Sequence, residues 1–88
     1  MKLKCEFVVT EVGDEVIAVP VGAEAKDYRL VLKLNEESGK IVELLNHEIT
    51  LQELITSLKE EYTIEEKDIS SISDFIAQLR ESNLIEGN

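Results

Sequence analysis

An α+β fold is predicted for this chain of 88 residues, three strands followed by three helices, from two changes of pattern. Before Asn35 the apolar residues cluster in β-branched runs or alternate with a period of two. After it they recur at helical spacing. Hydrophobic residues make up 43% of the chain, enough for one compact core and little more, so residues 1–88 are expected to form a single domain, with strands over about 4–34 and helices over about 36–83.

The first two strands are CEFVVTEV and VIAVPV, joined by the turn signal GDE into a hairpin. Pro20 has no N–H to give a ladder, so the second strand should end there, bulge, or lie on an edge at that point. GAEAKD reads as a polar loop. The third strand spans Tyr28 to Leu34, with Tyr28, Leu30, Leu32 and Leu34 on an apolar face and Arg29, Val31 and Lys33 on the other. Cys5 lies in an alternating apolar segment with no His or basic cluster adjoining it and reads as packing.

Asn35 can accept hydrogen bonds from the first turn of a helix, and Glu36 and Glu37 favour the positive end of its dipole. Ile41, Leu44 and Leu45 supply the buried stripe of that helix, and NHEI ends it. Thr50 and Glu53 have capping-box spacing ahead of Leu51, Leu54, Ile55, Leu58 and Tyr62. Thr63 and Glu66 repeat the spacing ahead of Ile69, Ile72, Phe75, Ile76 and Leu79. Asn83, tolerant of the left-handed conformation, closes the third helix, and Leu84 and Ile85 fold back on the core.

Nine basic residues stand against nineteen acidic ones, a formal net charge of −10, which opposes phosphate backbones. The imbalance is concentrated after residue 34, where 4 basic groups face 13 acidic ones. No nucleic-acid partner is therefore expected. The N-terminus lacks a signal peptide or membrane span, so a cytoplasmic protein without a membrane partner is expected. One histidine, His47, and one cysteine cannot furnish a Cys/His metal site, and the acidic residues lack EF-hand spacing. The four glycines are too scattered for a phosphate loop, and Ser70, Ser71 and Ser73 have no nucleophile elbow. Glu60/Glu61 and Glu65/Glu66 read as solvated or capping charges. No catalytic residue, metal or cofactor is expected.

Leu34-Asn35-Glu36 opening a helix, followed by IVELL, NHEIT, LQELITSLKEEY and a final helix ending in LRESNLI, resembles the PqqD family over roughly the whole chain. The sequence departs from the family's pattern at Val42, where many members carry an aromatic residue, and at Asn83, where a glycine is common. The resemblance implies a winged helix-turn-helix-like scaffold with a three-stranded antiparallel sheet, used as a recognition element for ribosomally made precursor peptides. The leader peptide would add as a strand beside the third strand and pack on the third helix, and a modifying enzyme, commonly a radical SAM enzyme, would act on it. With no cysteine motif for an iron–sulfur cluster, this chain would be the peptide chaperone. The groove so implied comprises Arg29, Leu30, Val31, Leu32 and Lys33 with Ile72, Ser73, Ile76, Ala77 and Arg80.

Leu30, Leu32, Ile72 and Ile76 also read as interior residues. Arg29, Lys33 and Arg80 are cations that would suit leader carboxylates, or would pair with nearby glutamates at the surface. Two other function classes meet obstacles in the sequence. A winged-helix DNA-binding regulator is opposed by DISSISDFIAQLRESN, which holds one Arg and three acidic residues. An acyl-carrier-like protein would need a serine opening a helix, whereas Ser70 falls inside one, and a helical bundle in place of the β-rich first half. The sequence leaves the oligomeric state open.

Overall fold

The computed structural model describes residues 1–28 and 30–87. In chain order it contains β1 (Lys2–Leu3), β2 (Glu6–Val12), β3 (Glu15–Val21), a 3₁₀ turn (Ala23–Asp27), β4 (Leu32–Leu34), α1 (Glu36–Leu45), α2 (Leu51–Lys59), α3 (Glu66–Glu81) and β5 (Ile85–Glu86). The fold is α+β, as expected, with an antiparallel sheet in the order β2-β3-β4 and three helices.

The hairpin β2–β3 turns through Gly13 and Asp14, with Val12 opposite Glu15. Gly13 alone has a positive φ there, 64°, which fits the two-residue turn whose twist matches that of the strands. Pro20 lies within β3, the central strand, but past Ala18, the last residue that pairs with β4, so β3 is an edge at that point, one of the three readings of the sequence. Its partner Phe7 shows why this is tolerated. The Phe7 N–H donates to Oδ1 of Asn46 (3.0 Å) and the Phe7 carbonyl accepts from Nδ2 of Asn46 (2.8 Å), so both groups point away from β3. The Phe7/Pro20 pair thus belongs to the set that exchanges no ladder hydrogen bonds, and β2 asks Pro20 for nothing.

The same alternation shortens β4. Successive residues of β3 face β2 and β4 by turns, so Val16, Ala18 and Pro20 are aimed at β4. Val16 pairs with Leu34 and Ala18 with Leu32; continuing that register sets Pro20 opposite Leu30. Pro20 cannot donate at that step, and the ladder stops. The strand expected over Tyr28–Leu34 is therefore only Leu32–Leu34. The GAEAKD loop before it is partly the 3₁₀ turn.

Each helix start carries a side-chain cap. Asn35 caps α1, its side-chain oxygen accepting from the Ser38 N–H at 2.8 Å. Thr50 and Glu53 form the expected reciprocal box on α2 (2.9 and 3.1 Å). For α3 the cap is Glu65, whose N–H donates to Oδ2 of Asp68 at 2.9 Å, instead of Thr63 with Glu66. Ile64, which packs against the core, holds the chain extended for two residues beyond Thr63. At the other end Asn83 has φ 62°, its N–H bonds the Arg80 carbonyl and the Leu84 N–H bonds the Leu79 carbonyl, both at 3.0 Å. That double closure leaves Leu84 buried against the core, with Asn83 doing the work usual for glycine.

The core lies between one face of the β2-β3-β4 sheet and the helices. Phe7 and Ala18 come from the sheet, Ile41, Val42 and Leu45 from α1, Leu54 and Leu58 from α2, and Ile72, Ile76 and Leu79 from α3. Cys5 is buried there too, as expected. Val42 is fully buried, so the core closes around a valine. Leu51, expected on the buried stripe, is 39% exposed: as the first residue of α2 its Cβ tilts past the helix end. The pairing of β1 with β5 brings the described ends of the chain together, a contact no local pattern announces.

Asn46 is a point of expected sensitivity. Asn46→Ala leaves the outward backbone groups of Phe7 without their partners. We expect a loss of about 1–3 kcal/mol in urea unfolding, and a loss under about 0.5 kcal/mol would show that water replaces the carboxamide.

Candidate peptide-binding site

Along β4 the residues bonded to β3 are Leu32 and Leu34, and the backbone groups of Lys33 are directed away from it. Since β4 ends the sheet order, this side of Lys33 is an open edge, and continuing the alternation two residues back places Val31 in the same position. The side chains sort the other way. Leu30, Leu32 and Leu34 pack against the core, while Val31 is 56% exposed and Lys33 is exposed on the opposite face of the sheet, beside Ile17.

The α3 candidates divide in the same fashion. Ile72 and Ile76 are core residues, as their interior reading had it. They belong to the core against which Leu30 and Leu32 pack. Ser73 is half-buried and Ala77 exposed, one turn apart along the helix. Arg80 is exposed but engaged: its Nη1 donates to the Gly87 carbonyl at 2.7 Å and Nη2 lies 3.9 Å from Sδ of Met1, tying α3 to the segment after β5. This role was not foreseen. Arg29 lies outside the described residues.

The site is thus a backbone edge with an apolar underside, and its chemistry is that of hydrogen-bonded strand addition. Among the described residues no group of three His, Cys, Asp or Glu side chains is placed to hold a metal, and no helix is long and apolar enough to cross a membrane. Two features of the edge were missed in the sequence: that Pro20 limits its length, and that Lys33 presents its backbone outward. The first had a visible signal in Pro20 itself, but its reach to Leu30 depends on the β3–β4 register.

A family model described as coenzyme PQQ synthesis protein D (PqqD) matches residues 25–85, from the 3₁₀ turn through β4 and the three helices to β5. The chain belongs to the PqqD family. The match covers both elements of the candidate site. The solved structure of TbiB1 in complex with the TbiA(beta) leader peptide is similar to this PqqD-family chain with a TM-score of 0.70. That likeness covers 100% of this chain and 98% of TbiB1 at 21% sequence identity, and it concerns the fold. No curated protein matches the chain.

Proposed function

We propose that this PqqD-family chain binds the leader segment of a ribosomally made precursor peptide by strand addition to β4, and presents the bound precursor to a modifying enzyme. The observation that carries this reading is the open edge at Lys33, whose strand is anchored from beneath by Leu32 and Leu34. Membership of the PqqD family supports it, as does the shared fold with TbiB1, a protein solved with a leader peptide.

The guest would hydrogen-bond the outward groups of Lys33 and Val31 and lie beside α3, meeting Ser73 and Ala77 where they reach the surface. Lys33 would face guest carboxylates, with Arg29 as a second cation; Arg80 would act mainly by holding the end of α3. The 88 residues would serve as one cytoplasmic recognition domain without catalysis of their own, and a radical SAM enzyme is the partner the PqqD type suggests.

The test is an amide NMR titration of the labelled chain with the small precursor peptide encoded beside its gene. Shifts are expected at residues 30–33 and 72–80. Shifts confined to other surfaces would overturn the reading.

A further inference from the structure

The sheet has a second open edge. Because Phe7 directs its N–H and C=O away from β3, alternation makes Val9 and Glu11 the next outward residues along β2. Asn46 occupies the edge at Phe7, whereas at Val9 and Glu11 no backbone hydrogen bond from another described residue takes its place.

Beside those two residues a depression of about 340 Å³ opens between the edge of β2 and α1. Its rim carries Glu11, Glu36, Glu43 and Glu61 against a single cation, Lys40. Lys40 is taken up by Glu61 at 3.4 Å, and among the described residues the other three glutamates have no ion-pair partner. Tyr62, on the same wall, feels this field: burial first, then Glu61, Glu36 and Glu37, push its phenol above the usual range, with Lys40 opposing.

The other face of β2 has a different character. Val8 and Val12 lie on the side of the sheet opposite Phe7 and are 47% and 59% exposed. A strand laid along this edge would direct alternate side chains to the carboxylates and to the valines.

We propose that the outer edge of β2 at Val9–Glu11 docks an extended segment of a partner polypeptide in which basic and aliphatic residues alternate. The basic side chains enter the glutamate-lined depression, the aliphatic ones cover Val8 and Val12, and Asn46 sets the end of the pairing at Phe7. A second copy of this chain does not fit the same edge. Its own β2 would bring Glu11 toward an acidic wall, between two molecules each of net charge −10.

This site is independent of the β4 reading, and its test keeps the two apart. The labelled full chain is titrated with a short peptide of alternating Lys and Val, and separately with its Glu/Val counterpart. The Lys/Val peptide is expected to shift the amides of Val8–Val12 and of Gly39–Lys40, and to lose affinity as salt rises. The Glu/Val peptide is expected to leave them unmoved. Glu11→Lys with Glu43→Lys should weaken binding about tenfold or more. Glu11→Pro, which deletes an outward N–H while sparing the ladder to β3, should weaken it about tenfold; Lys33→Pro should leave it unchanged.

Equal binding of the two peptides, shifts at β4 and α3 in place of β2, insensitivity to the Glu11 variants, or β2 shifts that follow protein concentration without peptide would each overturn the proposal.

Discussion

Truncating Phe7 to alanine should destabilise the fold by about 3–5 kcal/mol, the largest single effect expected in this chain. Phe7 is 1% exposed and is one of two aromatic phenylalanines available to the core, the other being half-buried Phe75. It sits on the covered face of β2, across from Pro20, and its removal leaves a cavity that a close-packed core fills only in part. A chain of this size commonly has a stability of about 4–13 kcal/mol, so Phe7→Ala removes a large part of it. Urea unfolding should show the midpoint falling by about 2 M with an unchanged slope. A loss below about 1 kcal/mol would mean that the sheet relaxes onto the helices far more easily than the packing suggests.

The second large effect concerns binding. Lys33→Pro removes the outward N–H of β4 and leaves the bonds of Leu32 and Leu34 to β3 in place, since the Ile17/Lys33 pair exchanges none. Binding of the precursor peptide should weaken about ten- to a hundredfold, while the melting temperature moves by only a few degrees. Lys33→Ala is the necessary companion: it removes the charge and keeps the N–H. An edge that works through its backbone predicts a loss of less than about fivefold for the alanine variant. Equal losses would assign the affinity to the ammonium group; no loss in either would place the guest elsewhere.

The features legible in the sequence are those decided within one turn of chain. Asn35, the Thr50–Glu53 box and Asn83 each satisfy backbone groups within a few residues, and each stands where the pattern put it. The α3 cap moved from Thr63 to Glu65 because Ile64 packs on the core, a demand from outside the local window. The remaining departures are longer in range. The shortened β4 follows from Pro20, ten residues from Leu30 in sequence and set against it only by register. The pairing of β1 with β5 and the Asn46 bonds to Phe7 join positions far apart in the chain. The candidate site divides along the same line: alternation separated the partly buried leucines from Val31 and Lys33, whereas the engagement of Arg80 by Gly87 required the chain to close on itself.

Pro20 has one more consequence. By stopping the β3–β4 ladder at Leu32 it acts as a ruler on the edge, exposing a stretch too short to template sheet after sheet. A guest measured against that ruler would gain only a few backbone hydrogen bonds. Discrimination between one peptide and another would then fall to the side chains that flank them, and the β4 edge, open enough to receive a strand, would stay too brief to seed a fibre.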